Sequence, residues 1–131
     1  MGQAMPVVSP ATALKGGAMR LFLYGTLLDP ARLAACAGPG LRPAAAVLTG
    51  YRRVGLRFTP YPTLRKAWRG RVEGAVVEVD AAGLRRLMAY EGPRYRLMRV
   101  AVRRIRGNNA AIANTGAFVW IAAAATGRPW P

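Results

Sequence analysis

The sequence predicts an α+β domain: a small, mixed and mostly antiparallel β-barrel with two or more short helices packed around it. Two segments carry the start and stop signals of helices, and five to seven segments have the composition of strands. These segments do not alternate regularly, unlike the repeated strand–helix units of parallel folds. The 131 residues are enough for one domain with its own core.

The N-terminal part of this domain is predicted to be a strand followed by a short helix. The apolar run at residues 21–24 ends at Gly25, as expected for a buried strand that leads into a tight turn. The helix that follows has Asp29 as its N-cap and Pro30 at its first position. Gly38 stands where a left-handed C-cap is expected.

The middle of the chain is predicted to form further strands. Residues 44–64 contain one or two strands and then an irregular loop carrying Tyr61, because the prolines on either side of Tyr61 exclude a central strand. Residues 70–79 are β-branched and predict another strand. Within it, Gly74 indicates a bulge or a close approach of another backbone.

The C-terminal half is predicted to contain a second helix and two more strands. Asp80 caps the helix, and Gly92 followed by Pro93 ends it. Residues 95–106 predict a long strand, the Gly-Asn-Asn sequence at 107–109 predicts a turn, and a final strand is expected to begin at Ala117.

The ends of the chain have different predicted roles. Residues 1–18 contain one Lys and no apolar run as long as a signal peptide requires, so they are interpreted as a flexible leader. The folded domain is expected to span residues 19–131. No run of apolar residues approaches the length of a membrane-spanning helix, and a cytoplasmic protein without a membrane partner is expected.

The strongest compositional signal is a formal charge of +15, from 20 Lys and Arg against five Asp and Glu. Such an excess is typical of proteins that bind nucleic acid, anionic membranes or acidic substrates. However, the cations are scattered, with no run of three and no RNA-recognition signature. A general preference for Arg and Ala in the source genome would produce the same pattern.

The scarcity of Cys and His limits the chemistry that the chain can perform. With Cys36 as its one cysteine and no histidine, it lacks the ligands of zinc and iron–sulfur sites and the usual Ser-His and Cys-His pairs. A carboxylate, a Tyr or a Lys must therefore carry any acid–base catalysis. No metal centre is expected.

One carboxylate stands at an unusual place in the second helix. Leu84, Leu87 and Met88 have the spacing of a core-facing stripe, and Glu91 continues it. The last helical turn also disfavours a negative charge, and burial would raise the pKa of the carboxyl group. Such a misplacement is expected where function overrides local preference. The alternative is that Glu91 turns outward and pairs with a nearby arginine, Arg94, Arg96 or Arg99.

The ordered motifs LFLYGTL, GYRR, YPTL, VEGAVVEV and LRRLMAYEGPRYR resemble the gamma-glutamylcyclotransferase-like family, in particular its branch of small plant avirulence-induced and bacterial proteins. The resemblance runs from about Met19 to Arg106. It implies a cofactor-independent enzyme that releases 5-oxoproline and an amine from a small gamma-glutamyl amine or peptide. It also implies that Glu91 is the general base and that the substrate-holding loop is formed by Tyr24, Gly25, Thr26 and Leu27.

The resemblance also implies roles for two further tyrosines, and it has one departure. Tyr61 and Tyr95 are expected to line the substrate pocket. The closing strand of the family often carries a Tyr, where this chain has Phe118 or Trp120. The alternative function is a non-catalytic basic protein on the same fold that binds nucleic acid or another polyanion, although no motif supports nucleic-acid binding.

Overall fold

A computed structural model describes residues 18–57, 59–92, 94–105, 111–122 and 125–129. Two α-helices and a six-stranded sheet account for most of them. The helices are α1 (Pro30–Ala37) and α2 (Ala81–Glu91), and one 3₁₀ turn covers Thr26–Leu28. The strands are β1 (Ala18–Leu23), β2 (Ala44–Leu56), β3 (Pro62–Asp80), β4 (Tyr95–Ile105), β5 (Ala111–Ala122) and β6 (Ala125–Pro129).

Five of these strands close the sheet in a ring. β1 lies between β3 and β5, β4 joins β5 to β2, and β2 pairs back onto β3. β1 and β5 run parallel and the other neighbours antiparallel, while β6 adds to β2. The α+β class and the mostly antiparallel closed sheet are therefore confirmed.

The second half of β1, residues 21–23, is buried on both faces, which explains its continuous apolar run. Leu21 and Leu23 belong to the core between the sheet and the two helices. Phe22 and Tyr24 face a second core inside the ring. A strand covered on both sides has no polar face to present, so its sequence does not alternate.

Both helices begin and end where local sequence signals predicted. The Asp29 carboxylate accepts a hydrogen bond from the N–H of Arg32 (3.2 Å), and that of Asp80 accepts one from Gly83 (2.8 Å). The predicted terminal glycines follow, with φ angles of 109° and 81°. Side-chain capping and left-handed glycines are local devices, and this is why these bounds were predictable.

The third strand is much longer than predicted. It begins at Pro62 rather than at residue 70, and Pro62 pairs with Gly55 of β2. A proline at the first position of a strand removes no hydrogen bond from the ladder, so Pro62 limits the strand without excluding it. The irregular loop that was predicted is confined to the residues before Pro62.

The last predicted strand also differs from the structure. β5 starts at Ala111, six positions before the expected Ala117, and its first half pairs with β4 as far as Ile105. Pairing with a long neighbour draws in small and polar residues that have little β-propensity of their own. A sixth strand, β6, was not predicted.

Some predictions concern residues outside the described part of the chain. They are the leader at residues 1–17, the helix-ending Pro93 and the turn at 107–109; Ala18, assigned to the leader, is the first residue of β1. Within the described ranges, neither helix is long and apolar enough to cross a membrane.

Gly74 lies where two backbones approach closely, as its position in a strand suggested. A Cβ atom at this residue would lie 2.1 Å from the carbonyl oxygen of Leu23 and 2.8 Å from the ring of Phe22. Neither contact is with the free end of a flexible side chain, so relief requires β1 and β3 to move apart.

We therefore expect Gly74→Ala to lower the free energy of unfolding by about 1–3 kcal/mol, the usual cost of overpacking. Urea unfolding followed by circular dichroism measures it. The control is Gly116→Ala, because a Cβ there meets nothing within 4 Å. Equal stability of the two variants would contradict the close approach.

Candidate active site

A cavity of about 120 Å³ opens at the end of β1, beside the C-terminal end of α2. All seven residues that were predicted for the site lie on its wall, although the turn after β1, the loop before β3, α2 and β4 supply them. They are Tyr24, Gly25, Thr26, Leu27, Tyr61, Glu91 and Tyr95. Their juxtaposition is a fact of the structure, and the roles assigned to them stay predictions.

Gly25 and the 3₁₀ turn that follows it, Thr26–Leu28, form one side of the cavity and are called the glycine turn. After β1 ends, the N–H of Leu28 donates to the carbonyl oxygen of Gly25 at 3.0 Å, which closes one turn of 3₁₀ helix. A Cβ at Gly25 would lie 3.0 Å from Cγ of Pro62. A glycine therefore lets the turn pack closely against the start of β3.

Tyr24 anchors this turn to the inside of the ring. Its hydroxyl donates to the carbonyl oxygen of Trp120 at 2.5 Å, while Nε of Arg53 donates to the Tyr24 carbonyl oxygen at 2.8 Å. Burial raises the pKa of Tyr24, and the neighbouring Tyr95 and Glu91 raise it further. Tyr24 is therefore neutral, and its hydroxyl proton is already used in the hydrogen bond to Trp120.

Tyr95 is held in the same manner on the opposite wall. Its hydroxyl donates to the carbonyl oxygen of Pro62 at 2.6 Å. Burial raises its pKa, and the charge of Glu91 adds to the effect. Because Tyr24 and Tyr95 are neutral and donate to carbonyl oxygens, neither is suited to accept a proton.

Glu91 is the acidic side chain on the cavity wall. Burial raises its pKa from 4.5 to about 7. Its position follows from the helical phase: at about 100° per residue, the buried Gly83, Leu84 and Leu87 span an arc of about 100°, and Glu91 falls inside it. Met88 falls outside that arc and is 39% exposed, so its predicted place in the core stripe was wrong.

The alternative ion pairs of Glu91 are not formed within the described ranges. The salt bridges there join Arg20 to Glu78 and Arg71 to Glu73. Arg94, the nearest candidate in sequence, donates instead to the carbonyl oxygen of Arg57 at 2.7 Å. No described cation therefore holds the pKa of Glu91 down, and desolvation dominates.

The mouth of the cavity carries a hydrogen-bonded group that the sequence did not reveal. The hydroxyls of Thr26 and Tyr90 are 2.6 Å apart, and Nη1 of Arg32 donates to the Tyr90 hydroxyl at 3.3 Å. Tyr61 lies at the same opening and is 43% exposed. Tyr90 stands one residue before Glu91, about 100° around the helix, so periodicity alone places it on another face.

Four more residues complete the wall. Trp120 of β5, rather than Phe118, faces the cavity. Its carbonyl also receives the Tyr24 hydroxyl, so it positions the glycine turn as well. The remaining lining residues are Phe22, Leu23 and Pro62. Among the described residues, no cluster of three or more Cys, Asp or Glu side chains could hold a metal ion.

Known proteins share this sequence pattern and fold. Protein AIG2 C of Arabidopsis thaliana is 33% identical over 102 residues, which is 77% of this chain and 61% of that protein. The chain thus spans less than two thirds of this relative. A solution structure of a protein from Arabidopsis thaliana has 29% identity and a TM-score of 0.66, with 80% of this chain and 62% of that one covered.

A solved gamma-glutamyl cyclotransferase shares the fold at lower identity. Its TM-score is 0.66 at 15% identity, covering 82% of this chain and 68% of the enzyme. A family model described as "Gamma-glutamyl cyclotransferase, AIG2-like" matches residues 21–130, which include every residue that lines the cavity. The chain therefore belongs to the AIG2-like gamma-glutamyl cyclotransferase family.

Proposed function

We propose that this protein is a cyclotransferase that converts a gamma-glutamyl amine or peptide into 5-oxoproline and the free amine, with Glu91 as the general base. The observation that supports this most directly is a carboxylate with a pKa of about 7 on the wall of the cavity that the glycine turn borders. Membership of the family supports the class of reaction.

The reaction moves only protons and one acyl group. Glu91 takes a proton from the α-ammonium of the substrate, and the neutral amine attacks the side-chain amide carbonyl to close a five-membered ring. The carbon–nitrogen bond to the leaving amine then breaks. The attacking nitrogen loses two protons in all and the leaving nitrogen gains two, so Glu91 carries each in turn and ends ionised.

A pKa near neutrality suits both halves of this cycle. A carboxylate with an ordinary pKa is a weak base, whereas one near 7 takes a proton more readily and can still return it to the leaving amine. The nearby Tyr24 and Tyr95 do not compete for this task, because their raised pKa values keep them protonated.

The rest of the cavity supports a folded substrate. The N–H groups that begin a helical turn have no acceptor within that turn, and those at Gly25 and Thr26 can bind the substrate carboxylate or the developing oxyanion. Aromatic walls from Phe22, Tyr95 and Trp120 limit water around the reacting atoms. Holding the amine close to the carbonyl supplies much of the rate without a cofactor.

We expect the purified protein to release equal amounts of 5-oxoproline and amine from at least one member of a panel of gamma-glutamyl amines, amino acids and peptides. Chromatography of both products measures this. The matched control is the same substrate with its α-amine acetylated, which cannot attack. Absence of 5-oxoproline across the panel, or its appearance from the acetylated substrate, would contradict the proposal.

A further inference from the structure

A four-residue projection interrupts the pairing of β2 with β3, and none of its residues lines the cavity. Thr49 pairs with Arg71, and Tyr51 pairs with Lys66. Between these pairs β2 has one residue, Gly50, whereas β3 has four. The surplus residues, 67–70, leave the ladder and are called the Trp68 bulge.

The backbone of the Trp68 bulge has a defined conformation. Arg69 adopts a φ of 60° and Gly50, across from it, a φ of 84°. A Cβ at Gly70 would lie 2.4 Å from the carbonyl oxygen of Tyr51, so the bulge returns to the sheet through a contact that only glycine permits. Bulges of this kind re-aim side chains.

The side chain that this bulge displays is unusually exposed. Trp68 is 86% exposed, about twice the value of the next most exposed large apolar side chain in the described residues, Tyr61 at 43%. The guanidinium carbon of Arg69 lies 4.3 Å from the centroid of the Trp68 ring. Arg69 therefore lies over one face of the indole, and the other face remains available.

Several exposed basic side chains belong to the bulge and to the strand segments that flank it. Arg52 pairs directly with Arg65 across the two strands, and like charges in that position destabilise a sheet. The acid in this stretch, Glu73, contacts Arg71 at 3.6 Å. The exposed cations of the bulge and its two flanking strand segments are Arg52, Arg65, Lys66, Arg69 and Arg71.

We propose that the Trp68 bulge binds single-stranded nucleic acid, with one base stacked on Trp68 and the surrounding cations in contact with phosphates. An exposed aromatic ring within a positively charged surface is the combination that such binding uses. The proposal does not depend on the cyclotransferase activity, because the two surfaces share no residue.

Two other polyanions fit this surface less well. A membrane-surface segment presents several large apolar side chains, whereas Trp68 lies between Ala67 and Arg69 on a single bulge. A duplex offers phosphates but keeps its bases stacked on one another, so it makes no use of an exposed indole. A single strand offers both an unstacked base for the Trp68 ring and phosphates for the basic side chains.

The test is titration of the full chain with fluorescein-labelled oligo(dT) and oligo(U), followed by anisotropy. Trp68→Ala is expected to weaken binding roughly tenfold at fixed salt, within the range for loss of one stacked base. Arg65→Gln/Arg69→Gln is expected to reduce the log–log salt slope by about 1.4, since each lost phosphate contact on a single strand contributes about 0.7.

The matched control removes two exposed arginines from α2, Arg85→Gln/Arg86→Gln, and leaves the bulge intact. It is expected to keep the affinity within about twofold, because the exposed indole and the cations around it are unchanged. Unchanged binding by Trp68→Ala, equal losses in both arginine double variants, or equally tight binding of duplex would overturn the proposal. So would preferential binding to phosphatidylserine vesicles with burial of Trp68.

Discussion

Replacing Glu91 with Gln is expected to lower the rate of 5-oxoproline release roughly 100- to 10,000-fold, the usual contribution of a general base. The amide keeps the size and most of the hydrogen-bonding capacity of the carboxylate, but it cannot accept a proton at neutral pH. Because the change removes proton transfer rather than binding, kcat falls while KM changes little. Steady-state kinetics on the best substrate of the panel measures both constants.

The matched control is Glu78→Gln, an exposed carboxylate in an ion pair with Arg20 on the outside of β3. It removes the same charge away from the cavity and is expected to keep full activity. Wild-type kcat/KM should rise with pH and level off above about 7, as Glu91 loses its proton. Full turnover by folded Glu91→Gln protein would show that another group is the base.

The same substitution is expected to alter how stability depends on pH. The folded protein holds the Glu91 proton more tightly than the unfolded chain, with pKa values of about 7 and 4.5. The stabilisation that the tighter binding of this proton gives to the folded state is therefore fully present below pH 4.5 and is lost as pH rises through about 7. The two values differ by about 2.5, which corresponds to about 3 kcal/mol.

Relative to Glu91→Gln, the wild type should thus lose about 3 kcal/mol of unfolding free energy between about pH 4 and about pH 8. Urea unfolding of both proteins at each pH measures the difference, and pairing them cancels the titration of all other groups. Glu78→Gln, which changes an exposed carboxylate, is measured beside them at each pH as the control. A wild-type–variant difference independent of pH would mean that Glu91 is hydrated in the folded state.

The predictable parts of the fold depend on near neighbours in sequence. The capping aspartates Asp29 and Asp80 act within three residues of themselves, so the helix starts could be derived without knowledge of the rest of the chain. The bounds of β3 and β5 could not be derived from local sequence. Pairing with β2 and β4 decides how far these strands extend, and that partner choice is a property of the closed ring.

The candidate site likewise contains some residues that the sequence identified and others that only contacts distant in sequence bring to the cavity. Glu91 stood out as a carboxylate on an apolar helical stripe, whereas the glycine turn was assigned to the site through the family resemblance. Tyr90 and Pro62 carry no such signal. Tyr90 reaches the cavity mouth through its contact with Thr26, and Pro62 through its contacts with Gly25 and Tyr95. These partners are distant in sequence.

The sequence by itself determined the two helices, the strand that leads into the glycine turn, and the choice of Glu91 as the carboxylate on an apolar helix face. Each of these is encoded by residue spacing and local hydrogen bonding. Only the tertiary structure decided that Glu91 and the turn share one cavity and that the carboxyl group has a pKa of about 7. Desolvation of Glu91 depends on atoms that the closed sheet and α2 bring together. No local sequence pattern records which atoms those are.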